Sequence, residues 1–146
     1  MALRIWETAR TSLAVGTSIY AAGDALGTKV SLAVPDAGVV RSITITDVDD
    51  EAGTTVNVVF FDSEPTGIAA NAAFDLADSD TEKIIGFRLV DQPFDATNAL
   101  ALYESDVNIP YRTNGGLLWL QCELASATTP TFTATTDVKI KLIIEY

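Results

Sequence analysis

Apolar and polar residues alternate along most of this chain with the period of two that is typical of β-strands. Turn residues separate these segments at intervals of roughly 8 to 15 residues, as in antiparallel sandwiches and barrels. The pattern predicts strands over residues 4–8, 28–34, 39–46, 54–62, 84–90, 100–104, 117–124 and 137–146. We therefore expect an all-β protein, either an antiparallel β-sandwich or a jelly-roll-like barrel.

One short helix is expected near residues 79–85. The sequence Ser79-Asp80-Thr81-Glu82 has the form of a capping box, in which the Ser79 hydroxyl and the Glu82 carboxylate bind free N–H groups at a helix start. Asp80 and Glu82 also suit the positive end of the helix dipole. These acidic residues therefore indicate helix capping rather than a metal site.

Two of the predicted strands are apolar on both faces. The strand over 117–124 has one wholly apolar face and begins its other face with Leu117 and Trp119. The strand over 54–62 carries Val59 and Phe61 on its second face. Such a face requires a cover, either the long segment 64–78 of the same chain or another subunit. The candidate interface residues are Leu3, Ile5, Trp6, Val59, Phe61, Leu117 and Trp119.

The length of 146 residues fits one domain that needs no disulfide or metal for stability. We expect an N-terminal arm or edge strand over residues 1–19 and a single β-sandwich domain over residues 20–146. The only cysteine, Cys122, has no partner for an internal bridge and is expected to be a small buried hydrophobe.

The charge excludes some classes of partner. Twenty acidic and nine basic residues give a formal net charge of -11, which repels a phosphate backbone, so we expect no nucleic-acid partner. No apolar run approaches the roughly 18 residues of a membrane span, and the N-terminus carries charges where a signal peptide is apolar. We therefore expect no membrane partner.

Catalytic chemistry is poorly represented. The chain has no histidine, and neither a GxGxxG nor a GxxxxGK[ST] motif occurs. We expect a protein that is not an enzyme and that holds no cofactor. Asp47, Asp49 and Asp50 in the loop 47–53 are weak calcium candidates, but the loop lacks the EF-hand spacing. A solvated acidic hairpin loop is the preferred interpretation.

A carbohydrate-binding module is an alternative from a different class, because many such modules are β-sandwiches with exposed aromatic platforms. The likeness to such modules is one of fold alone. The aromatic residues that could form such a platform are Trp6, Tyr103, Tyr111 and Trp119.

Several segments resemble a family of small β-rich virion proteins of tailed bacteriophages, of the head decoration (cement) or head-fibre type. The matching segments are residues 20–27 (YAAGDALG) with the strand from Lys29, 39–47 (VVRSITITD), 58–66 (VVFFDSEPT), 71–74 (NAAF), 79–80 and 130–138 (PTFTATTDV). They are structural motifs and not catalytic ones. The C-terminal sequence IIEY departs from the family pattern, and residues 2–19 have no counterpart in it.

The resemblance implies a structural protein that binds the major capsid protein, clamps capsid subunits and forms a homo-oligomer, with a trimer favoured. Its location would be the outer capsid surface of the virion, after assembly in the host cytoplasm. The residues Leu3, Ile5 and Trp6 could add a strand to a neighbour by β-augmentation. A tail or other virion component is the nearest alternative.

Overall fold

The computed structural model describes residues 2–51 and 53–146. Met1, in the predicted arm, and Ala52, in the predicted acidic loop, lie outside the described residues. The described residues form eleven strands and one helix: β1 (Ile5–Glu7), β2 (Thr11–Ser12), β3 (Val30–Ala33), β4 (Ala37–Asp47), β5 (Val56–Phe61), α1 (Asp78–Thr81), β6 (Ile84–Val90), β7 (Gln92–Asp95), β8 (Leu100–Glu104), β9 (Ile109–Arg112), β10 (Leu117–Leu124) and β11 (Val138–Glu145).

These strands form two antiparallel sheets. The large sheet has the order β1-β11-β4-β8-β7, with β2 also pairing with β11 and β9 with β4. The small sheet has the order β3-β10-β5-β6. The prediction of an all-β sandwich with one short helix is confirmed, and the sheets of the described residues do not close into a barrel.

The hydrophobic core lies between the two sheets and follows the alternation of the sequence. On β11, Val138, Ile140, Leu142 and Ile144 are buried, while Lys139 and Lys141 lie on the opposite, outer face. Cys122 of β10 is fully buried in the same core, as expected, and burial raises the pKa of its thiol. Each large aliphatic side chain that is buried in this way contributes about 1.5–3 kcal/mol.

All eight predicted strands are present, but β2, β7 and β9 were not predicted. They are two to four residues long, too short for an alternation to be recognised. Strands β7 and β9 also contain Pro93 and Pro110, which lower the apparent strand propensity. Proline is tolerated in β7 because β7 is an edge strand of the large sheet. The backbone groups on the outer side of an edge strand need no hydrogen-bond partner within the sheet.

The N-terminal residues belong to the same sandwich. Strand β1 forms an edge of the large sheet through its pairing with β11. Leu13 and Val15 are fully buried in the common core, and Thr8 is buried with its hydroxyl accepting a hydrogen bond from the Leu142 N–H at 2.9 Å. The structure therefore shows no structural boundary at residue 19.

The covering segment, residues 62–83, packs over the outer face of the small sheet. Its backbone at Ile68 binds Gln121 of β10, with the Ile68 N–H donating to Gln121 Oε1 at 3.1 Å and Gln121 Nε2 donating to the Ile68 carbonyl at 2.7 Å. Gln121, Phe61 and Val59 are buried as a result. Of the two alternatives for the second apolar face, the cover from the same chain is the one observed.

The predicted capping box is wrong. Helix α1 begins at Asp78, the preceding Ala77 is its N-cap without a side-chain cap hydrogen bond, and Ser79 lies inside the helix. The helix begins earlier because the Ala77 carbonyl accepts hydrogen bonds from the N–H groups of Asp80 at 2.9 Å and Thr81 at 3.0 Å. The buried carboxylate of Asp80 accepts the N–H groups of Thr66 at 2.8 Å and Gly67 at 3.0 Å. Asp80 therefore fixes the turn of the covering segment instead of a helix start.

Candidate interaction surface

One side of the sandwich exposes an edge of each sheet. Strand β1 ends the large sheet, and strand β3 ends the small sheet. The indole Nε1 of Trp6 donates a hydrogen bond to the carbonyl of Ala33 in β3 at 3.2 Å, and its ring meets the Tyr146 ring edge-on at a centroid distance of 6.5 Å. Trp6 thus joins the two sheets at this edge, and its polar atom is already bonded.

Several side chains along this edge are apolar and exposed, with the charged residues Arg4 and Glu7 beside them. Leu3 is 72% exposed and Ile5 is 64% exposed, and both belong to the N-terminal segment that was expected to be an interaction element. Leu117 pairs with Ala33, the residue that binds Trp6, and is also exposed. We call Leu3, Ile5, Trp6, Leu117 and Tyr146 the apolar edge.

The backbone of β1 offers free hydrogen-bonding groups at the apolar edge. Arg4 and Tyr146 exchange two backbone hydrogen bonds of 3.0 Å, and the Thr8 N–H donates to the Leu142 carbonyl. In an antiparallel pair these bonds alternate along the strand, so the N–H and C=O groups of Ile5 and Glu7 point away from β11. An exposed, apolar strand edge of this kind is a template for pairing with another chain.

Three of the predicted interface residues are not part of this surface. Val59 and Phe61 are buried under the covering segment. Trp119 is half-buried, with the Lys29 ammonium 5.6 Å from its ring centroid, and Lys29 is itself held by Glu64 and the Pro65 carbonyl. The other four candidates, Leu3, Ile5, Trp6 and Leu117, are exposed on this side of the sandwich, with the side chains of Ile5 and Trp6 on opposite faces of β1.

Further exposed apolar residues were missed by the sequence analysis. Phe87 and Leu89 lie on the outer face of β6, next to Val59 and Asn57 of β5. Phe94 of β7 and Tyr103 of β8 are exposed on the outer face of the large sheet. The alternation of residues 84–90 was the available signal for the first pair, because both faces of that strand contain large apolar residues.

Three carboxylates of the acidic loop, those of Asp47, Asp49 and Glu51, accept hydrogen bonds from the backbone. Both oxygens of Asp47 accept backbone N–H groups, from Asp49 at 2.8 Å and from Glu51 at 2.9 Å. Burial raises the pKa of Asp47, and these two hydrogen bonds offset part of that effect. Asp49 accepts the Thr133 N–H. Within the described residues no group of three or more acidic, cysteine or histidine side chains could hold a metal, so Asp47, Asp49 and Asp50 do not form such a cluster.

The four aromatic residues of the carbohydrate alternative do not form one platform. Tyr103 is exposed on the large sheet, but Tyr111 is buried between strands, and burial together with the nearby Asp36 raises its pKa to about 12. Trp6 and Trp119 lie in the contacts described above. A flat stacking surface would require several of these rings side by side.

Residues 20–27 contact two of the other segments that were matched to the virion proteins, 71–74 and 130–138. Tyr20 is fully buried, donates its N–H to the Pro130 carbonyl at 3.0 Å and packs edge-on against Phe132 at 5.7 Å. The Asn71 N–H donates to the Ala25 carbonyl at 2.9 Å. These residues hold loops to the core, which is a structural role.

Comparison of the chain with family models, with curated proteins and with solved structures gives no match. Among the described residues no helix has the length and apolar character needed to cross a membrane.

Proposed function

We propose that this chain is a non-enzymatic structural protein of a bacteriophage virion, a capsid decoration protein that binds the major capsid protein on the outer capsid surface. The apolar edge is the observation that carries this proposal. The segments that resemble phage virion proteins favour a virion as the particle, and the apolar edge offers a surface for attachment to it. In this view the protein is made in the host cytoplasm and joins the particle during assembly.

The apolar edge fits attachment by β-augmentation. A strand from a capsid subunit would pair with the outward backbone groups of Ile5 and Glu7 and extend the large sheet by one strand. Side chains of this strand would lie beside Leu3 and Ile5, and each favourable cross-strand pair would add about 0.2–1 kcal/mol. The net charge of -11 would keep the protein away from packaged nucleic acid and on the exterior of the shell.

Binding to particles tests the function. We expect purified protein to bind expanded capsids that lack it and to raise their thermal stability in a concentration-dependent manner. If the protein does not bind such capsids but binds tail tubes, the decoration function is wrong and a tail function is favoured. Binding to neither particle, combined with binding to a polysaccharide, would favour the carbohydrate module.

Two variants test the attachment edge. Ile5→Pro removes an outward N–H group without removing a hydrogen bond to β11, so it should weaken capsid binding while the fold is retained. The double variant Leu3→Ser/Ile5→Ser removes the apolar contacts. Ile19→Ser is the matched control, because Ile19 is an equally exposed isoleucine in a loop outside the apolar edge. Equal capsid affinity of all three variants would refute attachment through this edge.

A further inference from the structure

One region of the outer face of the large sheet is rich in basic residues, although the chain as a whole is strongly acidic and Glu7 lies on the same face. Lys139 and Lys141 of β11 lie next to Thr46 and Thr44 of β4 in the sheet register. Arg10 lines the same shallow depression as these four residues. We call Arg10, Lys139, Lys141, Thr44 and Thr46 the basic face, which holds three of the nine basic residues of the chain.

Two of these cations have no acidic partner in the described part of the chain. Lys141 forms an ion pair with Glu7 at 3.1 Å. The remaining ion pairs within residues 2–51 and 53–146 do not include Arg10 or Lys139, and both residues are exposed. The neighbouring side chains on β4 are threonines, which can donate and accept hydrogen bonds. The face is therefore suited to a partner that presents carboxylates.

The opposite side of the molecule presents such carboxylates. Asp75, Asp78 and Glu82 are exposed on the covering segment, which lies on the outer face of the small sheet. Helix α1 has acidic residues in its first turn and no basic residue in its last turn. We call Asp75, Asp78 and Glu82 the acidic ridge.

We propose that the basic face of one copy binds the acidic ridge of a second copy. The two surfaces lie on opposite sides of the sandwich, so the contact is head-to-tail, and it produces a ring or an open stack according to the rotation between copies. Five strands about 4.8 Å apart, with a length of about 27 Å taken from the eight-residue strand β11, give a sheet face of roughly 650 Å², which the shorter strands β1, β7 and β8 reduce. This is slightly below the ~800 Å² per partner of a standard interface, so the association is expected to be weak.

Opposite charges at the contact can hold two copies together although both copies carry a net negative charge. The Debye length is about 8 Å at physiological salt, so charges on the remote side of each molecule are largely screened. Opposed charges at the contact itself remain effective at low salt and are screened at high salt. The proposal therefore predicts self-association that salt weakens, in contrast to a purely apolar contact.

Sedimentation equilibrium of the full chain tests the proposal without any particle. In 0.05 M NaCl we expect masses above that of the monomer, with a dissociation constant at least tenfold weaker in 1 M NaCl. Arg10→Glu/Lys139→Glu should be monomeric in both buffers. Arg4→Glu/Arg112→Glu is the matched control, because it changes the net charge equally at exposed cations outside the basic face and should still associate. Thermal unfolding of each variant confirms that the fold is retained.

Mixing experiments identify the complementary surface. Asp75→Lys/Asp78→Lys should also be monomeric alone, and an equimolar mixture with Arg10→Glu/Lys139→Glu should restore association, because the first variant keeps the basic face and the second keeps the acidic ridge. A monomeric wild-type protein in low salt, association that salt does not weaken, or a mixture that stays monomeric would each overturn the proposal. These outcomes leave the capsid proposal intact, because capsid binding is measured separately with the variants of the apolar edge.

Discussion

The carboxylate of Asp80 should be the main polar anchor of the covering segment, and its removal should be costly. The side chain is almost fully buried and accepts hydrogen bonds from the N–H groups of Thr66 and Gly67. The ammonium of Lys83 lies 3.3 Å from the same carboxylate. A hydrogen bond to a charged group is worth about 1.5–3 kcal/mol, but the Thr66 N–H can regain water in the variant because Thr66 is exposed.

We therefore expect Asp80→Ala to lower the free energy of unfolding by about 3 kcal/mol. For a domain of this size each kcal/mol corresponds to roughly 2–4 °C in Tm, so the Tm should fall by about 6–12 °C. Asp80→Asn retains one acceptor but places an amide NH2 against the second N–H, so it should recover at most about half of the loss. Asp75→Ala is the control, because it removes an exposed carboxylate of the same segment and should change Tm by about 1 °C.

The pH dependence of Tm distinguishes the loss of the Asp80 charge and its hydrogen bonds from a simple loss of packing. Burial alone would raise the pKa of Asp80, but the hydrogen bonds from Thr66 and Gly67 and the charge of Lys83 outweigh burial and lower the pKa below 3.8. The stabilisation is therefore fully present above the unfolded pKa and is lost as the pH falls through the folded pKa. The difference in Tm between wild type and Asp80→Ala should be constant near pH 7 and should shrink below about pH 4. A Tm that matches Asp75→Ala at pH 7, or a difference that persists unchanged in acid, would refute the reasoning.

Two further variants test other anchors of the fold. Gln121→Leu should lower the free energy of unfolding by about 3 kcal/mol in urea, because it leaves the N–H and C=O of Ile68 without their partner, whereas Gln92→Leu on exposed β7 should have little effect. Gly27→Ala should cost about 4 kcal/mol or more, since the new Cβ would lie 1.9 Å from the Leu13 carbonyl oxygen at a φ of +82°. Gly115→Ala, with a φ of +92° and no atom within 4 Å, isolates the backbone strain and should cost about 1 kcal/mol. Similar losses for the two glycine variants would show that the steric argument is wrong.

The long strands could be predicted because their alternation of apolar and polar residues matches the buried and exposed faces that they have in the fold. Strand β11 alternates over eight residues between a core face and a solvent face, and this alternation fixes both its type and its orientation. The short strands β2, β7 and β9 depend on neighbours in the sheet, so their own sequence carries little information. The role of Asp80 could not be predicted for a related reason, since its hydrogen-bond partners lie 13 and 14 residues earlier in the chain.

The candidate site could be predicted only in part, because alternation shows which faces are apolar but not what covers them. Trp119 and Leu117 have the same position in the pattern of β10, yet Trp119 is half-buried beneath Lys29 and Leu117 is exposed at the end of the strand. The difference arises from the covering segment, whose path is fixed by long-range polar contacts at Gln121 and Asp80.

Polar residues within an apolar face distinguish an internal cover from an open surface. Gln121 follows Trp119 on the second face of β10, and a glutamine buried there requires hydrogen-bond partners, which the backbone of Ile68 provides. Ile5, in contrast, is 64% exposed beside Glu145, whose carboxylate is paired with the Arg41 side chain, and Ile5 lies on a strand whose outward N–H and C=O groups are not used by the sheet. The apolar residues near Gln121 are therefore satisfied within one copy of the chain, whereas those of the apolar edge are available to a second chain that supplies both a strand and an apolar surface.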